Sequence, residues 1–134
     1  VKKTPYESLA DTLALIHSGK LSAHPSFMLT PVDELLEICN GCGSSKAKID
    51  FVPDTVWFLS IKAACHVHDF GYHVGRTIED KNKEDRRMLN NIIRLVNLRS
   101  GWLLKKLRLL RARTYYNMVR LFGGPYFWGD RLND

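Results

Sequence analysis

Helix start and stop signals recur so regularly along this 134-residue chain that they leave little room for other secondary structure. Thr4-Pro5-Tyr6-Glu7 couples a capping-box pattern with proline at the first helical position, and Leu9, Leu13 and Ile16 carry the helix to about Ser18, where Gly19 stops it. Thr30-Pro31-Val32-Asp33 repeats the start signal ahead of Leu35, Leu36 and Ile38. A loop follows, opening with Asn40-Gly41-Cys42-Gly43-Ser44-Ser45 and running on to Pro53-Asp54. A third helix is predicted from about Ser60 to Tyr72, ending near Gly75, and a fourth from near Thr77 to about Arg99. A fifth covers about Trp102 to Phe122 and is ended by Gly123-Gly124-Pro125. Strand signals are nearly absent and no internal repeat or Pro/Gly/Ser-rich linker divides the chain. The expectation is an all-α bundle of about five helices, forming one domain over residues 1–134.

Charge is distributed unevenly. Between residues 86 and 129 there are ten Lys and Arg and no Asp or Glu; of the net +6, that stretch supplies +10 and the rest of the chain −4. A cationic last third suggests an anionic partner, either a phospholipid surface or nucleic acid. No apolar run approaches the ~18–20 residues that span a bilayer, so a transmembrane helix is not expected. Three cysteines permit at most one internal bridge, which excludes a disulfide-dense scaffold.

The densest polar chemistry lies in Ala64-Cys65-His66-Val67-His68-Asp69-Phe70-Gly71-Tyr72. On a helix, Cys65, His68 and Tyr72 share a face with Ile61 and Ala64, and Asp69 lies about 100° further round. A histidine and a tyrosine in line on an apolar stripe turn polar groups toward the interior. On the fourth helix, Met88, Leu89, Ile92, Ile93 and Val96 fall within about 80° of Asp85, so a carboxylate sits inside an apolar stripe. Burying it alone costs several kcal/mol, and His68 is the natural partner; the alternative is that Asp85 lies at the exposed start of the stripe. The glycines around Cys42 allow a backbone that turns carbonyl oxygens toward one point, which with a carboxylate makes a calcium-like shell; a plain turn after Cys39 is the alternative. Cys42 and Cys65 can bridge, closing about 24 residues at a gain of roughly 3 kcal/mol, or all three cysteines can be reduced and buried.

Together these residues resemble the phospholipase A2 superfamily, whose signature is a cysteine, a His-Asp pair beginning three residues later and a tyrosine beyond it: here Cys65, His68-Asp69 and Tyr72. The form is most like the bacterial and fungal branch, and Asp85-Arg86-Arg87-Met88-Leu89 is similar to the Asp-led segment opening that branch's next helix. The glycine loop resembles the family's calcium loop, and Pro53-Asp54 resembles a Pro-Asp upstream of the His-Asp helix. The resemblance covers roughly residues 38–96 and implies two long antiparallel helices carrying the His-Asp site. It implies a calcium-dependent hydrolase of the sn-2 acyl ester of glycerophospholipids, in a secreted or membrane-peripheral rather than cytoplasmic setting. His68 would activate water, Asp85 would hold the imidazole, Tyr72 would donate to Asp85, and Asp69 would bind Ca²⁺. Loops of the animal type imply the carbonyls of Gly41, Gly43 and Ser45 as further ligands; the bacterial pattern implies the Asn40 side chain and the Gly41 carbonyl. The animal members' second cysteine is replaced by Ala64, and the segment from Gly43 to His68 is longer than theirs.

Two other readings compete. Cys39, Cys42, Cys65 and either His66 or His68 offer four soft ligands for a zinc module, although the spacing is irregular. The cationic segment could bind nucleic acid, although no recognition motif accompanies it. The fifth helix is predicted to turn Leu103, Leu104, Leu107, Leu110, Met118, Leu121 and Phe122 toward the core, with Arg111 intruding on that arc. Lys105, Lys106, Arg108, Arg113 and Arg120 then form a cationic back that faces solvent or an anionic bilayer, with Trp102 or the Tyr126-Phe127-Trp128 cluster as interfacial anchors.

Overall fold

Thr4 and Glu7 close a reciprocal capping box that starts α1 (Pro5–His17), and Thr77 and Asp80 do the same for α4 (Ile78–Arg99). Between them lie α2 (Val32–Ile38), a hairpin of β1 (Thr55–Val56) and β2 (Leu59–Ser60), and α3 (Lys62–Val74). After α4 come α5 (Trp102–Phe122) and the short α6 (Gly124–Trp128). The computed structural model describes residues 3–39 and 53–129. Asn40, Gly41, Cys42, Gly43 and Ser45 lie outside the described residues. The fold is mostly helical, in keeping with the all-α expectation, and no helix among the described residues is long and apolar enough to cross a membrane.

Two apolar clusters meet on α3. One joins Ile61, Ala64 and Cys65 to Met88, Ile92, Leu95 and Val96 of α4 and to Ala112, Tyr115 and Val119 of α5. The other joins Val67 and Phe70 to Leu9 of α1, Phe27 and Leu35 of α2. The connection before α2 is held by Asn91, which is wholly buried on α4: its Oδ1 accepts from the Ser22 amide at 3.0 Å and its Nδ2 donates to the Ser22 carbonyl at 2.8 Å. One side chain thereby satisfies both backbone groups of a non-helical residue, which is how a loop can be buried at low cost.

The hairpin departs from the expected absence of strands. Thr55 pairs with Ser60 and Val56 with Leu59 around a two-residue turn, Trp57-Phe58. Because Ser60 is in that ladder, α3 begins at Lys62 rather than Ser60. The helices that carry the His-Asp pair are unequal, 13 residues in α3 and 22 in α4; the two long helices are α4 and α5, which has 21.

The fifth helix has the expected bounds but is turned by roughly 110° from the expected orientation. Leu104 and Met118 stay half-buried and Lys105, Lys106, Arg113 and Arg120 stay exposed, while the rest of the leucine arc faces out. Its buried row is Arg108, Ala112, Tyr115 and Val119, whereas Leu103, Leu110 and Leu121 are 71%, 68% and 74% exposed. Arg108, expected on the cationic back, is buried because the hairpin supplies acceptors. Its Nε and Nη2 donate to the Trp57 carbonyl at 3.0 and 2.8 Å, and its Nη1 donates to Ser100 Oγ at 2.7 Å. Tyr115 Oη adds a bond to the Thr55 carbonyl at 2.9 Å. The polar needs of the turn therefore decided which face of α5 turned inward.

Candidate active site

His68 and Tyr72 lie one turn apart on α3, and both reach the same carboxylate oxygen across the α3–α4 contact. His68 Nε2 lies 2.8 Å from Asp85 Oδ1, and Tyr72 Oη donates to that oxygen at 2.6 Å. Asp85 is completely buried. Its burial pushes the carboxyl pKa up, but the hydrogen bonds and charge of its partners, led by His68, outweigh this and hold it below the usual carboxylate range. Tyr72 is shifted upward, first by burial and then by the Asp85 charge, so it stays a donor. The structure thus brings together the three predicted residues of the site and decides that Asp85 is inside.

A fourth partner was not anticipated. Lys81 is buried at 3% exposure, and its Nζ donates to Asp85 Oδ2 at 2.8 Å. The same ammonium reaches the Val119 carbonyl at 3.2 Å and the Arg120 carbonyl at 3.4 Å, at the C-terminal end of α5. Those carbonyls lie in the last turn of α5, where a cation is favoured; the Val119 carbonyl also accepts from the Gly123 amide at 2.9 Å. The signal was legible in the spacing, since Lys81 precedes Asp85 by one turn on the same stripe. Both Asp85 oxygens are therefore occupied by donors, and the imidazole is fixed with Nε2 toward the carboxylate and Nδ1 on the opposite edge of the ring.

Close packing holds the constellation in place. The His68 and Tyr72 rings lie tilted at 47° with centroids 4.1 Å apart, and the Phe127 ring meets Tyr72 edge-on at 5.2 Å. A Cβ at Gly123 would come within 2.5 Å of Tyr72 Oη, so α5 must end on a glycine for Tyr72 to stand where it does. Phe127 is 1% exposed, which removes the middle of the Tyr126-Phe127-Trp128 cluster as an interfacial anchor and makes it a support of the site. Gly71 is similarly required: a Cβ there would meet the carboxyl group of Glu84 at 2.4 Å. Glu84 is itself buried, and burial raises its pKa against the opposing charges of Arg87 and His68.

Asp69 is half-buried, and its charge contributes to raising the pKas of both Cys39, after burial, and Tyr72. It therefore lies near the residue that immediately precedes Asn40. Among the described residues no three His, Cys, Asp or Glu side chains converge as a metal-holding group. The histidines offered to the zinc reading have other partners. His66 Nδ1 lies 2.7 Å from Thr12 Oγ1, and burial lowers the His66 pKa to about 4, while His68 is held by Asp85. Cys39 is a free, buried thiol whose Sγ contacts the His66 carbonyl at 3.3 Å. No family model, curated protein or solved structure matches the chain.

Proposed function

We propose that this chain is a calcium-dependent, phospholipase A2-type hydrolase that cleaves the sn-2 acyl ester of glycerophospholipids. The observation that carries the reading is the wholly buried Asp85 carboxylate, which accepts from Tyr72 and Lys81 and orients the His68 ring. An imidazole fixed by a buried carboxylate on one nitrogen presents the other as a general base, and imidazole is the side chain that titrates nearest neutrality. His68 Nδ1 takes the proton of the water that attacks the ester carbonyl, and Asp85 stabilises the imidazolium that forms. The imidazolium returns that proton to the lysophospholipid oxygen as the sn-2 acyl C–O bond breaks. Tyr72 and Lys81 hold Asp85 charged and in position, so that it remains an acceptor throughout.

Asp69 fits a hard cation: it is an oxygen donor next to His68 in sequence, half-buried and near the residue leading into Asn40. Asp69, with Asn40, Gly41 and Gly43, would hold Ca²⁺. When bound, calcium supplies polarisation of the ester carbonyl and stabilisation of the oxyanion. The decisive experiment is fatty-acid release from mixed phospholipid vesicles, with and without a calcium chelator, for the parent and His68→Ala. Release that needs both calcium and His68 supports the reading. Release unaffected by His68→Ala, or no release at all from properly folded protein with calcium present, overturns it.

A further inference from the structure

Among the described residues, the outward face of α5 and the tip of the hairpin form one exposed apolar surface. On the helical wheel Leu103, Leu110 and Leu121 fall within about 20° of one another, with Leu107 roughly 40° to the side, and all lie roughly 110–170° from the centre of the buried row. Leu107 is 42% exposed and Trp102, at the start of the helix, 85%. Lys106, Arg113 and Arg120 flank the strip on one side and Arg111 on the other, all of them exposed. Arg111 also leans over the Trp57 ring, 5.4 Å from its centroid, which joins the hairpin to this face.

The hairpin tip adds two aromatic rings. Trp57 and Phe58 have φ of 43° and 68°, left-handed values at which two-residue turns ordinarily place Asn and Gly. Phe58 is nevertheless 87% exposed, so packing within the chain does not account for a large ring in that position. Arg108, by its two bonds to the Trp57 carbonyl, fixes the turn against α5.

We propose that this surface, centred on Phe58, Leu103 and Leu110, docks onto an anionic lipid bilayer. The strip buries leucines in the acyl boundary while its cationic flanks meet anionic headgroups, and aromatic rings at the edge suit the interface. Self-association through the same face would set the flanking cations of two copies against each other, with no Asp or Glu between residues 86 and 129 to offset them. A nucleic acid would leave the central leucines against water or phosphate. Docking does not depend on ester hydrolysis at His68 and is measured without it.

The test is co-sedimentation, in chelator, with vesicles of phosphatidylcholine alone or with about one-third phosphatidylserine, together with quenching of tryptophan fluorescence by brominated lipid. Parent protein should bind the anionic vesicles at least tenfold more tightly than the neutral ones. Leu103→Glu/Leu110→Glu and Phe58→Ser should each weaken that binding about tenfold or more, with the circular dichroism of the parent. In the Trp102→Phe/Trp128→Phe variant, Trp57 should be quenched. Equal binding to both vesicle types, binding untouched by the Leu→Glu pair, or a Trp57 that lipid never quenches would overturn the proposal. So would competition by an RNA oligonucleotide that the Leu→Glu pair does not alter, or a concentration-dependent dimer abolished by that pair.

Discussion

Lys81 and Asp85, one helical turn apart on α4, form an ion pair at 2.8 Å in which neither side chain reaches solvent to any appreciable extent, 3% and 0% exposed. Breaking one side of such a pair leaves an uncompensated buried charge, at a typical cost of about 3–5 kcal/mol. Lys81→Met is therefore expected to destabilise by about 3 kcal/mol or more in urea unfolding. Adding Asp85→Asn to it should cost much less than the sum of the two single losses, because the charges are removed together. Additive losses would mean that the pair is not coupled.

Asp69→Asn should weaken calcium binding while leaving the fold unchanged, since the side chain is half-buried and keeps its shape. Raising the calcium concentration should then recover part of any lost hydrolysis. An unchanged calcium affinity in a direct titration would remove Asp69 as a ligand.

His66 makes the fold acid-sensitive in a defined window. Its pKa is lowered from 6.5 to about 4 in the folded state, chiefly by burial, so the unfolded chain binds the proton more readily. The native state thus loses stability as pH falls from about 6.5 to about 4, by a few kcal/mol in total, and the loss is complete below that. The Asp85 shift acts below its ordinary 3.8, and the raised Glu84 pKa acts with the opposite sign, so neither explains a loss in this window. The difference in unfolding free energy between parent and His66→Gln, followed from pH 7 to 4, should shrink steadily. A constant difference would show that His66 protonates as easily folded as unfolded.

Cys42 and Cys65 are expected to be bridged in protein from an oxidising compartment, pinning the loop that starts at Asn40 beside the His-Asp helix. Cys39 is free and 8% exposed, so thiol titration of native, non-reduced protein should find one thiol that reacts readily only on unfolding. Three titratable thiols would exclude the bridge.

The helices were legible because their ends are written in local chemistry. The capping boxes at Thr4 and Thr77 and the glycines at 19, 75 and 123 mark boundaries that depend on a few neighbouring residues. His68, Tyr72 and Asp85 were legible for a related reason: each interrupts an apolar stripe, and a buried interruption demands a partner. The hairpin was not, because its turn carries Trp57-Phe58 where a turn would advertise itself with Asn-Gly. Nor was the inward face of α5. Hydrophobic counting favours its many leucines, whereas the actual inward face was set by the carbonyls of Thr55 and Trp57, which needed the donors of Tyr115 and Arg108.

The left-handed turn at Trp57-Phe58 has an evolutionary consequence. Left-handed backbone costs an ordinary residue roughly 1–2 kcal/mol, and Phe58 recovers little of it from neighbours at 87% exposure. Selection for stability alone would replace Phe58 with glycine, which adopts that backbone freely and would raise Tm by a few degrees. A chain that keeps the ring is forgoing thermal tolerance at that spot, the usual mark of a position where stability and activity are in competition.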